Sequence, residues 1–223
     1  MHSLNIFDIR DTLVTVFGYN LSYIEACGVI FGLLCVWLAA LENILNWATG
    51  LINISCCFII FYQKQLYSDM FLQIYFFCIS IYGWIKWAKQ KQASKPIALL
   101  SEKERWLIAA IIAAGTVLMG LLMKNIHHLL PRIFPIPAAF PFIDSFVAVC
   151  SIVANVLLAK RILENWALWV LIDFICVFVY AIKEIRFISL EYGVLLIISA
   201  YGLWQWIRLY KNSQKKNEII SYQ

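Results

Sequence analysis

Runs of about twenty mostly apolar residues recur along the whole chain, and each is long enough to cross the roughly 30 Å hydrocarbon core of a bilayer as a helix. They fall at 22–41, 44–62, 67–87, 105–123, 141–159, 165–182 and 188–208. Backbone polar groups in lipid must be satisfied within their own segment, so runs of this kind fold as helices. The expectation is an all-α integral membrane protein with seven transmembrane helices. Composition agrees: 63% of the residues are hydrophobic, 14% are charged and the mean hydropathy is +0.79, far from the roughly 45–50% apolar and about 25% charged residues of a soluble domain. No sizeable extramembrane domain fits in what is left. Residues 1–21 hold Asp8, Arg10 and Asp11 ahead of any long apolar run, unlike a secretory signal. They are expected as a retained N-terminal segment, an amphipathic turn or two lying at the interface.

Numbering the spans divides the basic residues between the two faces of the membrane. Arg10, Lys64, Lys124, Arg132, Lys183 and Arg186 fall on one side, and the other twelve of the 18 Lys and Arg on the opposite side. The positive-inside rule assigns the twelve to the cytoplasm, with the N-terminus outside and the C-terminus, including a tail at 209–223, inside. The seven cysteines all lie in apolar stretches and read as small apolar filler. No metal-ligand spacing appears, and His127 and His128 are expected in an outer, proline-rich loop with Pro131, Pro135 and Pro137. No cofactor, nucleic-acid partner or enzyme signature is expected.

Sliding the chain against itself by 119 residues, without a gap, brings Asn46-Trp47-Ala48 onto Asn165-Trp166-Ala167. The same shift brings Ser80, Tyr82, Gly83 and Trp87 onto Ser199, Tyr201, Gly202 and Trp206, Cys57 onto Cys176, Lys64 onto Lys183 and Glu25 onto Asp144. Asn, Trp, Tyr and Gly recurring in register mark a duplicated three-helix unit, at 22–87 and 141–208. The segment 88–140, with its single span, reverses the direction of the chain, so both units run the same way. The outcome is a 3+1+3 parallel repeat, an arrangement that recurs among small transporters and places a substrate between the units near the midplane.

Polar and aromatic stripes point to that space. Trp166, Trp169, Asp173 and Tyr180 share one face of the sixth span, and a carboxylate in mid-span is costly and usually functional. Asn46, Trp47 and Asn53 on the second span, Gln73, Ser80 and Trp84 on the third, and Tyr192 and Ser199 on the seventh complete the candidate substrate-binding set. Amides, hydroxyls, a carboxylate and flat rings suit a planar, polar, ring-bearing molecule, with cationic rings gaining further. Against this stand simpler readings: Trp37, Trp87 and Trp206 as an interfacial belt, Gly28 and Gly32 as helix packing, and Ser80 and Ser199 as hydroxyls bonded to their own helices.

The run Leu66-Tyr67-Ser68-Asp69, then Leu72-Gln73 and Ile81-Tyr82-Gly83-Trp84-x-x-Trp87, resembles the first-half signature of PnuC-type vitamin transporters. Glu164-Asn165-Trp166-x-x-Trp169-x-x-x-Asp173, with Tyr180 and Lys183, resembles the second half. One departure is Ala48, where many relatives carry proline. The resemblance implies a SWEET-like fold and facilitative uptake of nicotinamide riboside across the bacterial inner membrane, with phosphorylation inside trapping the product. Relatives that carry thiamine or riboflavin stay open as alternatives, as does a lipid- or prenyl-modifying membrane enzyme using Asp173 and His127. The expected partners are the vitamin and the bilayer, and the sequence neither requires nor excludes a homo-oligomer.

Overall fold

The computed structural model of the protein describes residues 6–64, 67–92, 96–130 and 140–221. Leu66, Lys95 and the loop bearing Pro131, Arg132, Pro135 and Pro137 lie outside them. Two short strands, β1 (Thr12–Val16) and β2 (Tyr19–Ser22), pair antiparallel ahead of the first helix. This corrects the expected amphipathic turns: a run rich in β-branched residues is followed by Phe17 and Gly18, both at positive φ (50° and 81°), the backbone of a two-residue hairpin.

Among the described residues seven helices follow: α1 (Tyr23–Ala40), α2 (Leu45–Gln63), α3 (Tyr67–Gln92), α4 (Glu102–Leu129), α5 (Pro141–Ala159), α6 (Glu164–Ile182) and α7 (Arg186–Ser221). Their starts are written in the sequence. Ser22 and Glu25 form a capping box on α1, Ser101 and Glu104 another on α4, and Pro141 opens α5, each satisfying or dispensing with N–H groups that a helix leaves unpaired. Among the described residues six of these helices are long and apolar enough to cross a membrane, and α3 is not one of them. Gln73, Ser80, Tyr82 and Lys86 dilute its apolar character, yet 26 residues extend about 39 Å at 1.5 Å each, more than the hydrocarbon core requires. Two boundaries move: α4 continues through His127 and His128, so the pair ends a helix rather than sitting in a loop, and α7 runs on through the expected tail to Ser221.

Packing closes a ring. Helix α1 packs on α2, α2 on α3, α3 on α5, α5 on α6, α6 on α7, and α7 back on α1. Helix α4 stands outside the ring against α5, where a Cβ on Gly120 would come within 2.3 Å of the Phe142 ring; small residues let membrane helices approach this closely. Asn53 donates to the Gly28 carbonyl at 2.7 Å, joining α2 to α1 where hydrocarbon offers no alternative partner.

At the ends that the charge distribution assigns to the outside, two ion pairs correspond at the 119-residue offset, Lys64 with Glu25 at 2.7 Å and Lys183 with Asp144 at 3.4 Å. The hairpin is tied down beside the first of them. Gln63 accepts from the Ile9 N–H and donates to the Phe7 carbonyl, the Tyr19 hydroxyl donates to Glu25, and the Tyr19 ring stacks on Phe187 of α7 at 5.5 Å. Burial, followed by the bond to Glu25, pushes the Tyr19 phenol above its ordinary value. For Lys64, burial pulls downward, but the bond and charge of Glu25 outweigh it and hold the ammonium above its ordinary value.

Candidate functional site

The inner ends of the helices, those the charge distribution assigns to the cytoplasm, meet in a sealed floor. Trp47, Trp87, Trp166 and Trp206 are all nearly or fully buried there with Ala39, Ala40, Leu158 and Ala159. The Trp87 indole N–H donates to the Leu158 carbonyl at 3.2 Å, and the Trp206 N–H donates to Ala39 at 3.2 Å. Shifting the first bond by 119 residues produces the second, so each set of three helices reaches into the other in the same way. Trp87 and Trp206 also lie against each other at 6.1 Å between ring centroids. Counterparts that touch one another lie on the local two-fold axis. The belt reading of Trp87 and Trp206 is therefore corrected: both bury their rings and use their N–H groups between helices. Trp37, 41% exposed, stays at the surface and stacks on Tyr201.

A second self-paired position lies on the same axis. Arg161 forms an ion pair with Glu42, the residue 119 positions before it. Both take a left-handed backbone, φ 59° and 54°, closing the α5–α6 and α1–α2 turns. The Arg161 guanidinium also lies 5.0 Å over the Trp87 ring, a favourable cation–π position. Residues 96–100 cross this end as well: Ala98 exchanges backbone bonds with Arg161 and Leu163, and the Leu100 N–H donates to Glu164. Sequence reasoning missed the Glu42–Arg161 pair. The 119-residue offset contained it, since it aligns opposite charges that meet only across an axis.

Two glycines shape the floor. A Cβ on Gly83 would lie 2.4 Å from the Trp47 ring and one on Gly202 2.6 Å from Trp166, so each ring occupies the space a side chain would need. Asn46 and Asn165 donate to the carbonyls of Asn43 and Ile162, again counterparts. The Oδ1 of each Asn and the Nε1 of Trp47 and Trp166 are buried without a partner among the described residues. Asn46, Trp47 and Trp166 thus belong to the inner seal.

The other candidates lie away from it. Asp173 is 3% exposed and sits beside the Ser199 hydroxyl, which itself donates to the Leu196 carbonyl at 3.1 Å. Tyr180 and Tyr192 stack in parallel, 5.3 Å apart with 8° between planes, and Trp169 packs against both the floor and the cluster around Ile172 and Cys176. Ser80 is buried. Trp84 is 37% exposed. Gln73 lines a cavity of about 350 Å³ between α2 and α3 with Ile54, Ser55, Phe58 and Phe77; this cavity is apolar and does not include the residues of α6 and α7. The structure therefore brings Trp169, Asp173, Tyr180, Tyr192 and Ser199 together, while Asn53 bonds the Gly28 carbonyl and Gln73 lines the cavity between α2 and α3. Glu191, half-buried on α7 next to Tyr192, went unnoticed because it stands close to the expected start of a span.

Comparison with known proteins bears on what such an arrangement does. Residues 22–208 match the family described as nicotinamide mononucleotide transporter. The chain belongs to this family. Members of the family with curated names include the nicotinamide riboside transporter PnuC of Escherichia coli K12, 37% identical over 92% of this chain and 95% of the relative. The riboflavin/roseoflavin transporter RibM of Streptomyces davaonensis is 24% identical over 86% of this chain and 87% of its own length. A crystal structure of a vitamin B3 transporter PnuC superposes with a TM-score of 0.66 at 25% identity, covering 85% of this chain and 83% of that one. This family of multi-pass membrane transporters accounts for the ring of helices and sets the enzyme reading aside.

Proposed function

We propose that this chain carries nicotinamide riboside across the bacterial inner membrane by facilitated diffusion, and that phosphorylation inside the cell retains it. The observation that carries the reading is the group on α6 and α7, where the buried carboxylate of Asp173 lies among Trp169 and the Tyr180–Tyr192 stack. Flat aromatic faces and negative charge suit a pyridinium ring. The relative named for nicotinamide riboside, 37% identical to this chain, supports the same substrate. A nucleotide fits less well. Its phosphate calls for cations, and Lys64, Lys183 and Arg161 are already engaged, by Glu25, Asp144 and Glu42.

In this reading α1–α3 and α5–α7 form the two halves of a 3+1+3 parallel repeat, with α4 as the inverting span. The sealed tryptophan floor then belongs to the state open toward the outside, and transport requires the floor to part. Leaving buried polar atoms unpaired costs about 1–3 kcal/mol each, which lowers the free energy needed to break the floor at Asn46, Trp47, Asn165 and Trp166. Substrate identity is tested by titrating the purified protein with nicotinamide riboside, nicotinamide mononucleotide, thiamine and riboflavin and following tryptophan fluorescence or heat. Saturable binding of nicotinamide riboside, with the mononucleotide at least tenfold weaker, is the expected outcome. Preference for riboflavin or thiamine would reassign the substrate.

A further inference from the structure

The repeat is nearly symmetric in the floor and strongly asymmetric above it, and the asymmetry concerns charge. At the 119-residue offset Asp173 corresponds to Ile54 and Glu191 to Leu72, so both carboxylates belong to α5–α7 and both counterparts are apolar. Gln73 corresponds to Tyr192 and Asn53 to Ile172, leaving those two amides on the α1–α3 side. Duplication alone would make the two sides equal. A ligand with one cationic end and one hydrogen-bonding end would meet different walls.

Of the two carboxylates, Glu191 is the accessible one. Asp173 is 3% exposed, whereas Glu191 keeps part of its surface open. Glu191 also faces the other half of the molecule, within electrostatic reach of the Cys57 thiol on α2. On α7 it shares a stripe with Ser199, Gly202 and Trp206, eight, eleven and fifteen residues further along, spacings that keep one helix face. Trp206 and Gly202 on that stripe contact the floor, so the stripe runs from the axis at the inner end up to Glu191. Among the described residues no hydrogen bond or ion pair engages the Glu191 carboxylate. Arg186, five residues earlier on α7, forms no ion pair with it among the described residues, and Lys64 and Lys183 hold Glu25 and Asp144. An uncompensated carboxylate inside a span is costly and is retained where it meets something charged.

We infer that Glu191 is a specificity-determining residue that selects a cationic substrate and orients its charged ring toward α6 and α7. The inference rests on the proposed uptake of a pyridinium nucleoside and adds the residue that distinguishes the cation from a neutral molecule of the same shape. The neighbouring Tyr180–Tyr192 stack supplies a flat face for the ring, and Glu191 supplies the charge at its edge.

The test compares nicotinamide riboside with its dihydro form, which has nearly the same shape and no ring charge, in vesicles containing the full chain. Wild type should prefer the cation. Glu191→Gln should raise KM for the cation about tenfold, leave the neutral form within about twofold and leave the melting temperature in detergent unchanged; Glu191→Asp should retain the preference. In wild type itself, raising ionic strength should weaken uptake of the cation and not of the neutral form, because the attraction of a partly exposed charge is screened. Equal effects of Glu191→Gln on both forms, or a cation preference in wild type that ignores salt, would overturn the assignment. Wild type that accepts both forms equally would overturn it while leaving the substrate class standing. Wild type that accepts neither would remove the proposed function beneath it.

Discussion

Replacing Glu42 with Gln removes one charge from the axis and leaves the shape of the inner turn nearly intact. Glu42 and Arg161 keep only 20% and 14% of their side-chain surface exposed, so the perturbation is closer to breaking a buried pair, worth about 3–5 kcal/mol, than a surface one at about 0–1. Residual solvent access reduces this to about 2 kcal/mol, because an effective dielectric near 20 already limits the attraction of two charges 4 Å apart to about 4 kcal/mol. The pair joins the α1–α2 turn to the α5–α6 turn, and in the proposed transport cycle it parts when the floor opens. Its loss should therefore favour the inner-open state by a factor of about 30. The assay is the rate at which a thiol reagent on the cytoplasmic side labels a cysteine at Ala40, fully buried in the floor, in a chain whose native cysteines have been replaced. Glu42→Gln should speed labelling about thirtyfold. Arg161→Gln should do more, since it also removes the cation from the Trp87 ring. Because the two positions are counterparts, the exchange of Glu42→Arg with Arg161→Glu should return the rate to near wild type. Labelling within twofold of wild type for Glu42→Gln, or additive effects with no recovery in the exchange, would refute the latch.

Gly83→Ala and Gly202→Ala should each cost about 1–3 kcal/mol in detergent unfolding, because the new methyl meets an indole ring at 2.4 Å or 2.6 Å in a floor with no slack. Gly193→Ala, with nothing within 4 Å of its Cβ, should be tolerated, and equal effects at all three would dissociate the glycines from tryptophan packing. Trp169→Ala should weaken binding by about 1–3 kcal/mol if the ring stacks on substrate, as bases stack on aromatic side chains; unchanged affinity at normal protein amount would return Trp169 to packing alone. Lys64 is held above its ordinary value, so its contribution to docking the hairpin is complete below the unfolded value near 10.4 and is lost only as pH rises through the higher folded value. Fluorescence of a probe on the hairpin should stay constant from pH 7 to 9 and change only above about pH 10.4; release near neutrality would contradict the ion pair.

The spans were legible because hydrophobic length in lipid leaves the backbone one solution, and the repeat was legible because polar and aromatic residues recur in register. The misreading of Trp87 and Trp206 has a physical origin: a tryptophan near the end of a span looks the same whether it faces headgroups or a neighbouring helix. Their recurrence at the offset was the distinguishing sign, and of the three belt candidates Trp37, without a tryptophan counterpart, is the one that stays exposed. Asn53 illustrates the reverse difficulty. Its place on a polar stripe was visible, but whether its amide meets a ligand or the Gly28 carbonyl depends on how closely α1 approaches, which Gly28 and Gly32 permit and no single-helix pattern reveals. The hairpin was hidden by its length, since the eleven residues 12–22 of β-branched and turn chemistry hardly register beside twenty-residue runs.

Flux into sealed vesicles tests the central claim most directly. Protein reconstituted without any kinase, and loaded from outside with labelled nicotinamide riboside at zero membrane potential, should show saturable entry that halts when inside and outside concentrations match. Imposed proton or sodium gradients should leave that end point where it is. Accumulation beyond equality under either gradient would contradict passive transport, and entry no faster than in empty vesicles would contradict the assignment of the substrate.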